Sequence, residues 1–274
     1  MPISGKTQVY AILGNPVEQS FSPLMHNLAF HTNYIDAVYI ALKVDNLKAA
    51  IQGVKAMNIK GCSVTIPFKI DVIPYLDEVD TLALNIGAVN TIVNRDGKLV
   101  GHNTDGIGAL RAITEMEPIK GKKIAILGSG GAARAIAFTL ATQNPQSLTI
   151  WGADEAQAKA LAAELSEKTS AKTSYLPITS RTDYHILINC SPVGMYPQTD
   201  VLPIPEDFIL EKETVFDIIY NPKETLLLKK ARLKQNWLIY GYKMLLYQGM
   251  EQFKLWTGQD APADEMEEVL LQHI

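Results

Sequence analysis

The chain has little of what builds disulfide frameworks or metal centres. Its two cysteines, Cys62 and Cys190, lie far apart in apolar surroundings. They lack redox or zinc spacing, and one pair makes no disulfide scaffold. Two buried thiols in a reducing compartment are expected. The five histidines, His26, His31, His102, His185 and His273, show no metal-ligand spacing either, so no metal is expected. There is no phosphate loop ending in Gly-Lys-Ser/Thr, no G-x-S-x-G and no Cys–His nucleophile signature. Basic residues, 25, are outnumbered by 29 acidic ones and form no block, which argues against a nucleic-acid partner. No charged-then-apolar leader opens the chain. The longest apolar stretch, Ile124 to Ala141, is broken by glycines and Arg134 and is too interrupted to span a membrane. A cytoplasmic protein without membrane or nucleic-acid partners is expected, as monomer or homodimer.

What is present is a core-forming chain, 47% hydrophobic over 274 residues, enough for one large domain or two modest ones. Short β-rich runs alternate with helical ones. "QVYAILG", "AVYIALKV" and "IKGCSVTI" read as strands. "SPLMHNLAFHTN" reads as a helix with Ser22 as N-cap and Pro23 at its first position. "AVNTIVNRDGKLVGHN" reads as two strands about an Asp96-Gly97 turn, and a helix opens near Asp105. After the polar stretch 117–123 the pattern restarts with "KIAILG", a continuous apolar run typical of a buried parallel strand. Further alternation and two closing helices follow. The prediction is α/β, with two α/β domains. Residues 106–241 would form a Rossmann-like dinucleotide-binding domain with a parallel sheet, and residues 1–105 plus 242–274 a substrate-binding domain.

Two features point to chemistry. "ILGSGGAARAIA" places Gly128, Gly130 and Gly131 between a strand and a helix. Glycines there permit a tight turn and close approach of backbone N–H groups to a pyrophosphate. The spacing departs from strict G-x-G-x-x-G, and such turns also occur without nucleotides. In the first block, Ser20, Ser22, Thr65, Lys69, Asn90, Thr104 and Asp105 gather at predicted strand ends, where open α/β sheets bind ligands. They would suit a small polyhydroxylated acid. Plain structural uses are equally available: Ser22 and Asp105 as caps, Ser20 in a turn, Asn90 and Lys69 solvated. Lys69 follows Pro67 near an expected helix start, where the dipole disfavours a cation.

Taken in order, "GNPVEQSFSPLMHN", "SVTIPFK", "GAVNTI", "HNTDGIG", "GSGGAARA", "NCSPVGM", "DIIYNPKETLLLKKA" and "GYKMLLYQGMEQFKLWTG" resemble the shikimate dehydrogenase family and its quinate/shikimate relatives. The likeness covers nearly the whole chain. It implies reversible reduction of 3-dehydroshikimate to shikimate with a nicotinamide cofactor, in aromatic amino-acid biosynthesis. Lys69 and Asp105 would be the catalytic pair. Ser20 and Ser22 would bind the substrate carboxylate, with Tyr220 near it. Thr65, Asn90 and Gln248 would bind ring hydroxyls or the reacting oxygen. Gly128, Gly130, Gly131 and Ala132 would form the pyrophosphate loop, with Gly241 and Met244 against the nicotinamide. An NAD-dependent quinate/shikimate dehydrogenase of catabolic role is the alternative within the family, and a catalytically silent dinucleotide sensor the alternative outside it. Quinate is thus a second candidate substrate.

Three positions depart from the family's pattern. Gln19 stands where it usually has His, and Ser63 where it usually has Asn. At the corner beside the adenosine ribose the family's Asn-Arg-Thr is replaced by Gly152, Ala153 and Asp154, with Gln157 at a later, usually basic position. A 2′-phosphate needs cations, whereas a carboxylate accepts hydrogen bonds from a 2′-OH. NAD is therefore expected over NADP, with Asp154 on the ribose. Asp154 would equally serve as a helix cap, and Arg181 is a distant cation that could reach a phosphate.

Overall fold

The computed structural model describes residues 2–274. Along the chain run β1 (Gln8–Gly14), α1 (Ser22–Thr32), β2 (Ala37–Lys43), α2 (Leu47–Ala56), β3 (Gly61–Val64), β4 (Glu78–Val79), α3 (Thr81–Ile86), β5 (Thr91–Arg95) and β6 (Lys98–His102). Then come α4 (Asp105–Thr114), β7 (Lys123–Leu127), α5 (Gly131–Ala141), β8 (Ser147–Gly152), α6 (Glu155–Lys168), β9 (Thr173–Pro177), β10 (Ile186–Asn189), β11 (Thr214–Asp217), α7 (Leu226–Leu233), β12 (Trp237–Tyr240), α8 (Gly241–Thr257) and α9 (Ala263–Leu271). The chain divides into two compact α/β units. One runs through Thr104 and resumes with Gln248–His273; the other is Asp105–Tyr247, so the division falls inside α8. Among the described residues no helix is long and apolar enough to cross a membrane.

The first unit holds a six-stranded sheet in the order β2-β1-β3-β5-β6-β4. β1 pairs parallel with β2 and β3, whereas β3–β5 and β5–β6 are antiparallel. Asp96 (φ 52°) and Gly97 (φ 92°) make the tight turn of the β5–β6 hairpin, as their sequence predicts. The core gathers Leu13, Val64 and Ile92 from the strands, Ile51 and Val54 from α2, and Val89 from the segment before β5. α2 opens on Asn46, whose side chain accepts the Ala49 amide at 3.0 Å. α1 differs from expectation. Ser22 is its first helical residue rather than its cap; Phe21 holds the cap position without a side-chain bond. The amide of buried Ser22 donates instead to Ser20 Oγ at 3.2 Å, so the hydroxyl serving this helix start lies two residues earlier.

The second unit holds a six-stranded sheet in the order β12-β11-β10-β7-β8-β9, with every pair parallel. Counted from β7, this is the doubly wound order 3-2-1-4-5-6. Its strand order reverses between β7 and β10, where such sheets bind dinucleotides. Apolar strand residues Ala125, Leu127, Leu187 and Val215 pack with Leu227 and Leu228 of α7.

The loops beyond the strand ends are tied by a buried carboxylate. Asp217 ends β11, and Thr225 Oγ1 donates to its Oδ2 at 2.7 Å. Its Oδ1 accepts from Asn189 Nδ2 and from the Ile219 amide, both at 3.1 Å. Asn189 ends β10, and its Oδ1 accepts from the Ser191 hydroxyl at 2.7 Å. One carboxylate thus pins the loop after β10, the loop after β11 and the cap of α7. Burial pushes the Asp217 carboxyl up to about 6, against 3.8 for an ordinary aspartate. A raised native pKa means that the folded chain holds this proton more tightly than the unfolded one. The associated stability is complete below about pH 4 and fades as pH rises through about 6. Asp217→Asn removes the titration. The difference in melting temperature, wild type minus variant, should therefore shrink between pH 4 and pH 7 in parallel thermal melts. A difference that stays constant or grows with pH would contradict this assignment.

Candidate active site

In the first unit the expected substrate side chains stand where β1, β3 and β5 meet their loops. The turn after β1 carries Ser20 and Ser22. The Asn15 amide donates to the Ile66 carbonyl at 3.0 Å, and the Thr65 amide to Leu13 at 3.0 Å, so the turns after β1 and β3 are laced together. Thr65 and Lys69 are half-buried. The Val89 amide donates to the Lys69 carbonyl at 2.7 Å, which fixes the lysine backbone to the segment leading into Asn90. The helix expected to begin near Lys69 is not formed. Residues 66–72 are successive turns, followed by one 3-10 turn at Ile73–Tyr75. No helix dipole therefore acts on the lysine, contrary to the expectation from Pro67. Asn90 is buried, its Oδ1 accepting the Thr104 amide at 2.8 Å and its Nδ2 donating to Thr104 Oγ1 at 3.0 Å. Gln248 is likewise buried, on α8.

In the second unit Asp105 is the first residue of α4, in the acidic position a helix N-terminus favours, and it is buried. Tyr220 is partly buried on the loop after β11, and burial pushes its phenol up. Gly128 takes φ +102° directly after β7, and a Cβ there would press on the backbone of Cys190 and Ser191 at 3.3 Å. This position is glycine because the loops after β7 and β10 touch. Gly130 and Gly131 are glycine for another reason. A Cβ at either would meet no protein atom within 4 Å, so these two glycines leave space over the start of α5. That helix has Gly130 as cap and no side-chain cap bond, so its first amides, including that of Ala132, are offered to an anion. The cradle fits a dinucleotide pyrophosphate. Gly241 opens α8 against the Ile218 and Ile219 backbone, where no Cβ could be placed, and buried Met244 lies one turn on. Among the described residues no cluster of His, Cys, Asp or Glu is arranged to hold a metal ion. The Cys62 thiol is buried and pushed up to about 12, and burial also raises that of Cys190.

At the end of β8 the Asp154 side chain caps α6, accepting the Gln157 amide at 3.0 Å. Its carboxylate is exposed. Gln157 Oε1 accepts from Ser129 Oγ in the glycine loop at 2.7 Å. The cations nearest along α5 and α6 all have acidic partners: Lys159 pairs with Glu155, Arg134 with Glu164 at 2.8 Å, and Lys168 with Glu164 at 3.6 Å.

Two buried polar groups that sequence reasoning missed tie these strand ends and loops together. One is the Asn189–Asp217–Thr225 knot. The other is a buried set in the first unit, Tyr39, Ser63, Thr91 and Gln252. A signal existed: Asn189, Asp217 and Ser63 are polar residues within or ending otherwise apolar strands.

Comparison with known proteins agrees with this geometry. The family model for the shikimate dehydrogenase substrate binding domain matches residues 12–92, and that for the shikimate 5'-dehydrogenase C-terminal domain matches residues 241–271. A protein of Methanobrevibacter smithii named shikimate dehydrogenase (NADP(+)) is 47% identical over 98% of both chains. A crystal structure of a shikimate dehydrogenase in complex with NADP+ superposes with a TM-score of 0.94 at 44% identity, covering 100% of this chain and 98% of that one. Another, from Listeria monocytogenes in complex with shikimate and NAD, gives 0.93 at 35% identity over 98% of each. With likeness of this depth running from end to end, the chain belongs to the shikimate dehydrogenase family.

Proposed function

We propose that this chain interconverts 3-dehydroshikimate and shikimate by hydride transfer with a nicotinamide cofactor. The observation that carries the reading is the end-to-end likeness to a relative named for that activity, in a chain that keeps both Lys69 and Asp105. A silent dinucleotide sensor has no use for that pair. The first unit is read as the substrate domain and the second as the dinucleotide domain.

The bound cofactor supplies the hydride, or accepts it in reverse. The protein has to manage the oxygen. As the ketone carbon is reduced, its oxygen gains negative charge and needs a proton from a donor within about 3 Å. Lys69 is assigned that proton, and Asp105 the orientation and charge balance of the amine. In the oxidative direction the amine accepts the proton back from the hydroxyl. Ser20 and Ser22, with Tyr220, are assigned the substrate carboxylate. Thr65, Asn90 and Gln248 are assigned the ring hydroxyls. Quinate carries an extra hydroxyl beside the carboxylate, for which the two serines offer no dedicated partner, so shikimate is the preferred acid.

With shikimate and oxidised cofactor, the purified protein should produce a rise at 340 nm; no rise with shikimate or quinate and either cofactor would favour the sensor. Lys69→Ala should lower kcat by roughly 10² to 10⁴, the scale of a lost general acid–base, with a much smaller change in substrate KM. A variant with near-normal kcat would remove Lys69 from the chemistry.

For the cofactor we propose NAD over NADP, although the relative at 47% identity is named for NADP(+). The support is local: an exposed acid at Asp154, another at Glu155, and acidic partners on Lys159, Arg134 and Lys168. Two negative charges on a 2′-phosphate would meet acids there before any unengaged cation. The efficiencies kcat/KM for NAD and NADP, measured side by side, decide the point, and a wild type tenfold better with NADP would overturn it. Asp154→Ser keeps the cap on Gln157 but removes the charge. It should raise NADP efficiency relative to NAD without lowering the melting temperature.

A further inference from the structure

Gln252 lies one helical turn beyond Gln248 on α8 and is 1% exposed. Its carboxamide joins two hydrogen-bonded arms. On one side Gln252 Oε1 accepts from the Ser63 hydroxyl at 2.8 Å, and Ser63 Oγ accepts from the Tyr39 phenol at 2.6 Å. On the other side Gln252 Nε2 donates to Thr91 Oγ1 at 3.0 Å and reaches the Asn90 carbonyl at 3.4 Å. The Thr91 hydroxyl then donates to Asn90 Oδ1 at 2.7 Å. Tyr39, Ser63, Asn90 and Thr91 are all 4% exposed or less, so bulk solvent does not reach these bonds.

The direction of every bond in this chain follows from Gln252. A hydroxyl has one proton and can turn it either way. A carboxamide has its acceptor on one end and its donor on the other. With Oε1 toward Ser63, the Ser63 proton must point in. With Nε2 toward Thr91, the Thr91 oxygen is taken up as an acceptor and its proton is sent on to Asn90. That proton and the Thr104 amide hold Asn90 Oδ1 on the protein side. The Asn90 carboxamide is thereby held one way round, with Oδ1 toward Thr91 and the Thr104 amide and Nδ2 toward Thr104 Oγ1.

We infer that Gln252, itself fixed by Ser63 and Tyr39, is a positioning residue that sets the orientation of the Asn90 carboxamide for binding of an oxygen-rich substrate. The inference rests on the reading of Asn90 as a substrate contact. Glu differs from Gln at this site by one group only. In Gln252→Glu, once ionised, the Nε2 donor becomes an acceptor oxygen, the Thr91 proton is drawn to it, and Asn90 Oδ1 keeps only its Thr104 donors. A misdirected buried hydrogen bond on this scale should raise the shikimate KM about tenfold, with kcat reduced less and the cofactor KM unchanged. Ser63→Ala breaks the other arm in a smaller side chain and should raise the shikimate KM in the same selective way, by a smaller factor. The experiment is steady-state kinetics on the full chain with both substrates varied, alongside thermal melts and an Asn90→Ala control. Gln252→Glu or, where that variant does not fold, Ser63→Ala with an unchanged shikimate KM would overturn the inference. So would shikimate and cofactor KM rising together, the mark of general loosening. If Asn90→Ala raises the shikimate KM while Gln252→Glu does not, only the positioning role falls. If Asn90→Ala leaves that KM unmoved, the substrate assignment of Asn90 and this inference fall together.

Discussion

The polar cluster of the first unit depends on one antiparallel step. β3 and β5 pair with Ser63 opposite Thr91, and the Val64 amide donates to the Asn90 carbonyl at 2.8 Å. A parallel β5 would have put Asn90 at the far edge of the sheet. Because the strand runs the other way, its N-terminal end arrives beside the carboxyl ends of β1 and β3. Asn90 and Thr91 then share an edge with Ser20, Ser22 and Thr65. The pairing of Thr91 with His102 in the next hairpin brings Thr104 to the same place. A one-residue slip in the β3–β5 register would turn these side chains to the opposite face of the sheet.

The second unit follows a different constraint. Its sheet is wholly parallel, so polar strand-end residues cluster without any reversal. What must be added is rigidity in long loops, and the Asp217 carboxylate supplies it. A buried acid is a costly fastening compared with apolar packing, since its charge is taken from water. It has one property that apolar contacts lack: it is directional. Three donors from three segments converge on two oxygens, and only one arrangement of the loops satisfies them. The Gln252 carboxamide has the same character in the first unit.

Much of this was legible in the sequence, and the failures have physical reasons. The strand–glycine–helix unit, the Asp96-Gly97 turn and the run of strands in both units were readable because period, turn chemistry and apolar runs agree there. β4 is two residues long and α3 six, too short to show a period. β9, "TSYLP", is a half-buried edge strand with little apolar content. α7 begins inside "ETLLLKKARL", where three consecutive leucines blur the helical period. Lys69 misled because a proline after a strand reads as a helix start, whereas Pro67 here introduces turns. Ser22 misled because it satisfies the cap rule, and only the fold reveals Ser20 serving its amide. The buried amide chain was invisible for a simpler reason: Ser63 and Gln252 are 189 positions apart, and no local pattern links them.

The junction of β12 and α8 has a consequence for how this sequence can vary. Tyr240 is the last residue of the strand and Gly241 the first of the helix, with no loop between them. Elsewhere, a residue gained or lost is absorbed by a turn. Here it would be passed straight into the helix, turning everything beyond it by about 100° and sliding it by about 1.5 Å. Met244, in the same unit as the strand, would leave its place. The strand therefore acts as a phase reference for the helix, and chain length at this point is as constrained as the identity of any side chain.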